Sequence, residues 1–193
     1  SMDKDSINIK ELKVVSGPFK FKASGSLKEM FSKDPFVHID MKTDAFQLNK
    51  SIDYLPLKIF SDEYHDVIHK TFKNGSVKIN SLKFDGTVNQ LREITKPENQ
   101  RKIKGEMEMR KVDWQSPLPP LQKVTGTFKV DKGYSSFLIH KARYEKQPLT
   151  NLQGTIENFT TRPVANLSLE NKVDMAQFHS TLKKAFKGHT IHK

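Results

Sequence analysis

One apolar spacing occurs three times in this chain and limits what it can fold into. In each copy, four apolar residues stand at relative positions 0, 2, 5 and 7; the copies are Ile7, Ile9, Leu12 and Val14, then Val77, Ile79, Leu82 and Phe84, then Met107, Met109, Val112 and Trp114. Steps of two residues are typical of a β-strand with one apolar face, but the middle step of three reverses the alternation. Both pairs share a face only if an extra residue bulges out between them; otherwise each side of the strand carries one pair.

The spacing predicts long, bent strands that build a curved apolar surface. Further strands are predicted in a meander over 7–48 and over 76–91, 102–115, 122–131, 134–145, 150–158 and 163–172, with helices over 61–73 and 174–187. We therefore predict a mainly β fold, a long twisted, bulged, antiparallel-rich sheet curled into an apolar groove or open barrel, with the two short helices covering it. The alternative is an ordinary sandwich or barrel core that uses bulges for twist.

The composition fits one thin-cored β-groove segment. Only 35% of the 193 residues are hydrophobic, and the mean hydropathy is -0.64, which suits an elongated or single-layered shape. The polar stretch 92–101 is predicted to be an exposed loop, so that 3–91 and 102–188 could form sub-units joined by it. Ser1 before Met2 indicates a residue left by cloning, and we expect the chain to be a section of a longer protein.

The chain is strongly basic, which raises the question of an anionic partner. It carries 33 Lys and Arg against 22 Asp and Glu, a net charge of +11. Nucleic acid or the headgroup face of a membrane would fit such a balance. The lysines alternate with apolar residues, as on the solvent side of strands, and no recognition helix, zinc module or RNA-binding aromatic strand accompanies them. We predict no nucleic-acid partner.

Candidate catalytic and metal-binding residues are few. The absence of cysteine excludes disulfides, thiolate zinc sites and cysteine nucleophiles. The run His65-Asp66-Val67-Ile68-His69 resembles the H-E-x-x-H zinc motif, but Asp66 stands where that motif needs glutamate and no third ligand follows at a suitable spacing. No G-x-S-x-G elbow or glycine-rich phosphate loop is present. We therefore predict no enzyme activity, no metal and no cofactor.

Several short motifs carry a family resemblance over roughly residues 45–175. The first group is Tyr54-Leu55-Pro56, the predicted helix 61–73, Asn74-Gly75-Ser76-Val77-Lys78-Ile79 and Leu82-Lys83-Phe84-Asp85-Gly86. The second group is Val112-Asp113-Trp114, Pro117-Leu118-Pro119-Pro120-Leu121, Val124-Thr125-Gly126 and Leu152-Gln153-Gly154-Thr155-Ile156. Together they resemble the AsmA-like superfamily of Gram-negative envelope proteins, in particular a section of its YhdP-type members, which are related to TamB.

The resemblance implies a function without enzymatic chemistry. Such proteins are anchored in the inner membrane, cross the periplasm as long apolar β-grooves, and are associated with moving phospholipids for outer-membrane biogenesis. The expected partners are phospholipids or other acyl lipids, the membrane through an anchor in the parent protein, and neighbouring groove segments. The expected groove lining comprises the three apolar quartets and Phe128. A structural or protein-interaction β-module of an envelope assembly is the alternative, followed by an enzyme or a nucleic-acid binder.

Overall fold

The computed structural model describes residues 5–51, 54, 69–94, 96–115, 120–144, 147–157 and 164–169. Its strands are β1 (Ser6–Ser16), β2 (Phe19–Lys28), β3 (Phe36–Thr43), β4 (Phe46–Gln47), β5 (Phe72–Lys73), β6 (Ser76–Thr87), β7 (Ile103–Trp114), β8 (Leu121–Asp131), β9 (Tyr134–Tyr144), β10 (Gln147–Glu157) and β11 (Val164–Leu169). Its helices are α1 (Leu48–Ser51), α2 (Val88–Arg92) and α3 (Pro97–Gln100). None of these described helices has the length and apolar character needed to cross a membrane.

All strands belong to one antiparallel sheet, which confirms the predicted mainly β fold. The main path runs β1-β2-β3-β6-β7-β8-β9-β10-β11, while β4 pairs with β6 and β5 pairs with β7. Strands β6 and β7, on either side of residues 88–102, pair along most of their length. Within the described residues, β1 and β11 are the outer strands of the path. The antiparallel meander follows from the short connections between successive strands.

The sheet has one apolar face. A single row of directly opposed residues crosses every strand of the main path: Leu12, Ala23, Met41, Leu82, Gly105, Val130, Ser135, Ile156 and Ala165. Opposed residues in antiparallel strands project to the same side. Counting in steps of two from this row, and across the bulges, every residue predicted to line the groove lies on this side. We call this side the apolar face and the other the polar face.

The step of three in each apolar quartet coincides with a bulge, as the shared face requires. The pairing register shifts between Ile9 and Leu12 in β1, between Ile79 and Ser81 in β6, and between Met109 and Val112 in β7. Each shift adds a residue to one strand at the point where the alternation reverses. Both apolar pairs of every quartet are therefore on the apolar face.

The sheet bends sharply across β7 and β8. The register places Trp114 opposite Leu121, and Phe128 lies further along β8, where a straight strand would put it about 23 Å away at about 3.3 Å per residue. The Trp114 and Phe128 ring centroids are nevertheless 5.8 Å apart. The two side chains are too short to span the distance expected for straight strands. The end of the β7–β8 hairpin that carries Trp114 therefore folds back over the apolar face, toward Phe128.

Left-handed backbone residues mark the bend. Lys111 in β7, Lys123 in β8 and Asn151 in β10 have φ angles of 55°, 53° and 51°, and we call these residues the bend line. Side chains of neighbouring strands accept hydrogen bonds from two of their amides. The Lys111 N–H donates to Thr125 Oγ1 at 3.2 Å, and the Lys123 N–H donates to Asp113 Oδ1 at 3.1 Å. These bonds satisfy amides that a bulge takes out of the regular ladder.

Residues 88–94 and 96–101 differ from the sequence prediction of a strand to 91 followed by an exposed loop over 92–101. Strand β6 ends at Thr87, which begins α2 with a capping box: Thr87 Oγ1 accepts the Gln90 N–H at 3.3 Å, and Gln90 Oε1 accepts the Thr87 N–H at 3.0 Å. Leu91 and Ile94 are buried against Phe84. Through these two apolar side chains, the segment covers one end of the sheet.

The two predicted covering helices fall mainly outside the described residues. Residues 61–68, which include His65, and residues 174–187 are not described. At the end of the first predicted helix, residues 69–71 are helical, but Phe72–Lys73 forms β5 and pairs with Trp114 and Asp113 of β7. The strand ladder therefore begins before the predicted helix end at residue 73.

Candidate functional site

The apolar face divides into two parts that differ in accessibility. The closed half is a packed core in which buried side chains of β6–β10 meet those at the start of β2 and around β4. The open half consists of apolar side chains of β1–β3 that are exposed or half-buried: Ile7, Ile9, Leu12, Val14, Ala23, Leu27, Ile39 and Met41. The two halves share one face of one sheet, so apolar surface runs from the packed core out to strand β1.

The closed half is centred on Trp114. Its side chain is fully buried, and its ring centroid lies 5.3 Å from that of Phe72 and 5.5 Å from that of Phe137. Met109, Val112 and Phe128, which were also predicted to line a groove, are buried in the same cluster. Aromatic rings at these spacings fill the bend with side chains of the protein itself.

The remaining predicted lining residues range from buried to nearly half exposed. Val77 and Phe84 are buried, whereas Ile79, Leu82 and Met107 are half-buried. On β1, Ile7, Ile9 and Leu12 are 47%, 46% and 45% exposed, and Val14 is half-buried. Apolar residues on the inward side of a strand are normally covered, so this exposure identifies the part of the face with room for another molecule.

The polar face carries cross-strand ion pairs over the middle of the sheet. Lys83 pairs with Asp40 at 3.1 Å, Lys104 with Asp131 at 3.0 Å and Lys129 with Glu106 at 3.0 Å. The hydrogen bond from Lys129 lowers the pKa of the Glu106 carboxyl, so this group stays ionised at neutral pH. Because these pairs are solvent-exposed, each adds little to stability, and their main effect is to keep this face wet and locally balanced in charge.

The charge balance is lost over β1–β3. Lys13 lies directly opposite Lys22, and Lys22 lies directly opposite Lys42, so three lysines stand in a row on the polar face. Lys13 has a carboxylate partner in Glu11, at 3.1 Å. Like charges placed directly opposite on neighbouring strands repel one another. The open half is therefore backed by a basic surface that favours anionic groups nearby.

We predict that Lys22→Glu stabilises the protein. A carboxylate at this position would stand between Lys13 and Lys42, replacing two repulsive cross-strand contacts with two attractive ones. The expected gain is about 0.5–1 kcal/mol in the free energy of unfolding, measured by urea titration at low salt. The gain should shrink in high salt. Lys33→Glu, in the exposed turn between β2 and β3, is the matched charge control; an equal gain there would assign the effect to net charge alone.

The described residues do not bring several metal-ligating side chains together in one place. Among them, no group of three or more His, Cys, Asp or Glu side chains could hold a metal ion. His38 Nδ1 and Asp85 Oδ1 lie 2.5 Å apart on the exposed polar face.

Residues that shape the site without lining it were not singled out from the sequence. Asp113 accepts hydrogen bonds from the Lys123 amide and, at 2.9 Å, from Asn74 Nδ2, while Thr125 accepts one from Lys111. Asp113 and Thr125 are the central residues of two short motifs in the family resemblance. Each of the two lies between two buried residues of its strand, which is the ordinary alternation of a β-strand, so no local signal separated them from other outward-facing polar residues.

The chain matches no protein-family model, no curated protein and no solved structure.

Proposed function

We propose that this chain is a section of an apolar β-groove that binds phospholipid acyl chains and passes them along a periplasmic, inner-membrane-anchored protein of the AsmA-like type, for outer-membrane lipid transport. The observation that carries the proposal is the continuous apolar face. Its closed half is a packed core at β6–β10, and its open half at β1–β3 is accessible. The sequence resemblance to the AsmA-like superfamily supports the choice of ligand and location. The activity is binding and transfer, without a chemical step.

The energetics favour an acyl chain in the open half. Each methylene moved from water onto apolar side chains is worth about 0.8 kcal/mol. Ile9 and Leu12 on the outer strand and Met41 on β3 offer aliphatic surface of this kind, with no charged residue on the same face of β1 or β3. The phosphate headgroup can stay in water near Lys10 or Lys13 at the sheet edge. Many weak contacts of similar strength allow a chain to slide, because none of them holds it in one place.

Photo-crosslinking tests the proposal. A photoreactive residue at Ile39 or Met41, on the apolar face, is expected to capture phospholipid from mixed vesicles, detected as a mass adduct on the intact protein. The same residue at Asp40 or Lys42 is the matched control, because neighbours in a strand project to opposite faces. Equal capture at both sets would contradict the proposal and leave the structural or protein-interaction module as the better interpretation.

A charged replacement gives a second readout of the same site. Met41→Asp places a carboxylate on the apolar face, where an acyl chain lying over it would have to desolvate the charge. Lipid recovered with the purified protein should fall strongly for Met41→Asp and little for Lys42→Asp, with both variants folded by circular dichroism. Crosslinking at Met109 and Phe128 would extend the lipid path across the closed half; capture confined to Ile39 and Met41 would place it in the open half.

A further inference from the structure

Strand β1 is a long outer strand whose apolar face stays accessible, although it carries lysines and a bulge. It is 11 residues long and contains no proline. Within the described residues, its inner edge pairs with β2 and no strand pairs with its outer edge. Its apolar residues Ile7, Ile9 and Leu12 remain nearly half exposed. An exposed edge with free amide and carbonyl groups and apolar side chains is a template for another strand.

We propose that two copies of this chain associate through their β1 strands, paired antiparallel about a two-fold axis perpendicular to the sheet. Such an axis keeps the apolar faces of both copies on the same side, so the apolar surface continues from one molecule into the next. The proposal goes beyond lipid binding and does not depend on it.

The spacing of the apolar quartet in β1 matches itself in this arrangement. Positions 0, 2, 5 and 7 read the same in both directions, so an antiparallel copy centred between Lys10 and Glu11 sets Ile9 opposite the Leu12 of the other copy. It also sets Ile7 opposite Val14. Four cross-strand aliphatic contacts result from the two-fold symmetry, all on the apolar face.

The charges at the centre are complementary in the same register. Lys10 of each copy stands opposite Glu11 of the other, giving two opposite-charge pairs. Lysine and a bulge on an edge strand ordinarily discourage pairing. Here Glu11, which also pairs with Lys13 of its own chain at 3.1 Å, stands opposite Lys10 of the other copy. The one extra residue of each bulge then faces the bulge of the other copy instead of a regular partner strand.

The sheet itself contains a pair of strands that meet in this way. In β9 and β10, Ile139 lies opposite Leu152 and Ala142 lies opposite Leu149, so both strands take the step of three at the same level. This pair shows no shift of register there. A β1–β1 pairing centred on Lys10 and Glu11 would repeat that arrangement between two copies.

Sedimentation equilibrium of the lipid-free protein, with charge variants, tests the proposal. A concentration-dependent monomer–dimer equilibrium is expected for the unaltered chain. Glu11→Lys and Lys10→Glu each place like charges opposite one another and should weaken the dimer about tenfold or more. The double variant Lys10→Glu/Glu11→Lys restores opposite charges and should recover the affinity. Unfolding curves of the variants check that the monomer fold is retained.

Spin labels measure the register directly, since the chain has no cysteine of its own. A label at Ser6→Cys should give an intermolecular distance of about 30 Å and one at Lys13→Cys about 17 Å, at about 3.4 Å per residue along antiparallel strands. A monomer at all concentrations, a dimer unaffected by both single charge variants, or label distances that do not shorten from Ser6 to Lys13 would each overturn the proposal. None of these outcomes bears on phospholipid capture at Ile39 or Met41.

Discussion

Replacing Trp114 with alanine is expected to lower the free energy of unfolding by about 3–5 kcal/mol, the range for a large aromatic side chain removed from a packed core. Trp114 is fully buried and contacts the rings of Phe72, Phe128 and Phe137. Those rings come from strands β5, β8 and β9, so one truncation opens a cavity where three parts of the sheet meet. Partial collapse cannot refill it, because the strands on either side are fixed by their ladders.

Urea unfolding followed by circular dichroism measures this loss, because Trp114 is the only tryptophan and its fluorescence disappears with it. Trp114→Phe retains a ring and should recover part of the stability. Ile9→Ala, in the open half, is the matched aliphatic control and is expected to cost about 1 kcal/mol or less, since its side chain is already 46% exposed. Comparable losses for Trp114→Ala and Ile9→Ala would contradict the division into a closed and an open half.

The sidedness of the sheet could be predicted from the sequence, because a strand places alternate residues on opposite faces. The reversal between Ile79 and Leu82 left two options, a bulge or one apolar pair on each side, and the register shift found there selects the bulge. The same holds for β1 and β7. Within each apolar pair the shared face is thus readable from the spacing of two, whereas the bulge that brings both pairs to one face is a finding of the structure.

How deeply each residue of that face is buried could not be predicted in the same way. Ile9 and Met109 occupy the same position in their quartets, yet Ile9 is 46% exposed and Met109 is buried. Ile9 lies on an outer strand, whereas Met109 lies in the middle of the sheet beside the bend line, where Lys111 and Lys123 adopt left-handed backbone. Lysine has no preference for that conformation. The hydrogen bonds that stabilise it are accepted by Asp113 and Thr125 on neighbouring strands, so the bend cannot be predicted from the residues next to it in sequence.

The start of α2 is a different case, because its signal was present. Thr87 and Gln90 have the T-x-x-Q spacing of a capping box, which the structure forms. Thr87 itself and the β-branched Val88 after it favoured continuing the strand instead. A capping signature at the end of a strand pattern is stronger evidence than the strand propensity of one or two residues beyond it, since it satisfies specific amides.

Gly126→Ala is expected to be strongly destabilising for so small a change, with a loss of about 3 kcal/mol in the free energy of unfolding. Gly126 lies on the apolar face of β8, beside the bend line, directly opposite Met109 on one side and Ile139 on the other. A Cβ added there would overlap the Leu138 carbonyl oxygen and come within 2.8 Å of the Ile139 Cα. Both obstacles are backbone atoms of β9, so relief requires the strands to separate at the bend.

Gly105→Ala is the matched control on the same face. Its added Cβ would meet the Leu82 Cδ1 at 3.2 Å, the end of a half-buried side chain that can turn aside. Glycine in a strand is entropically costly, so this change should be close to neutral or slightly stabilising. Urea midpoints of the two variants therefore separate strand composition from curvature. A large loss for Gly126→Ala alone means that β8 and β9 approach closely because the sheet bends there; similar midpoints would mean that the bend is shallower than the contacts of Trp114 imply.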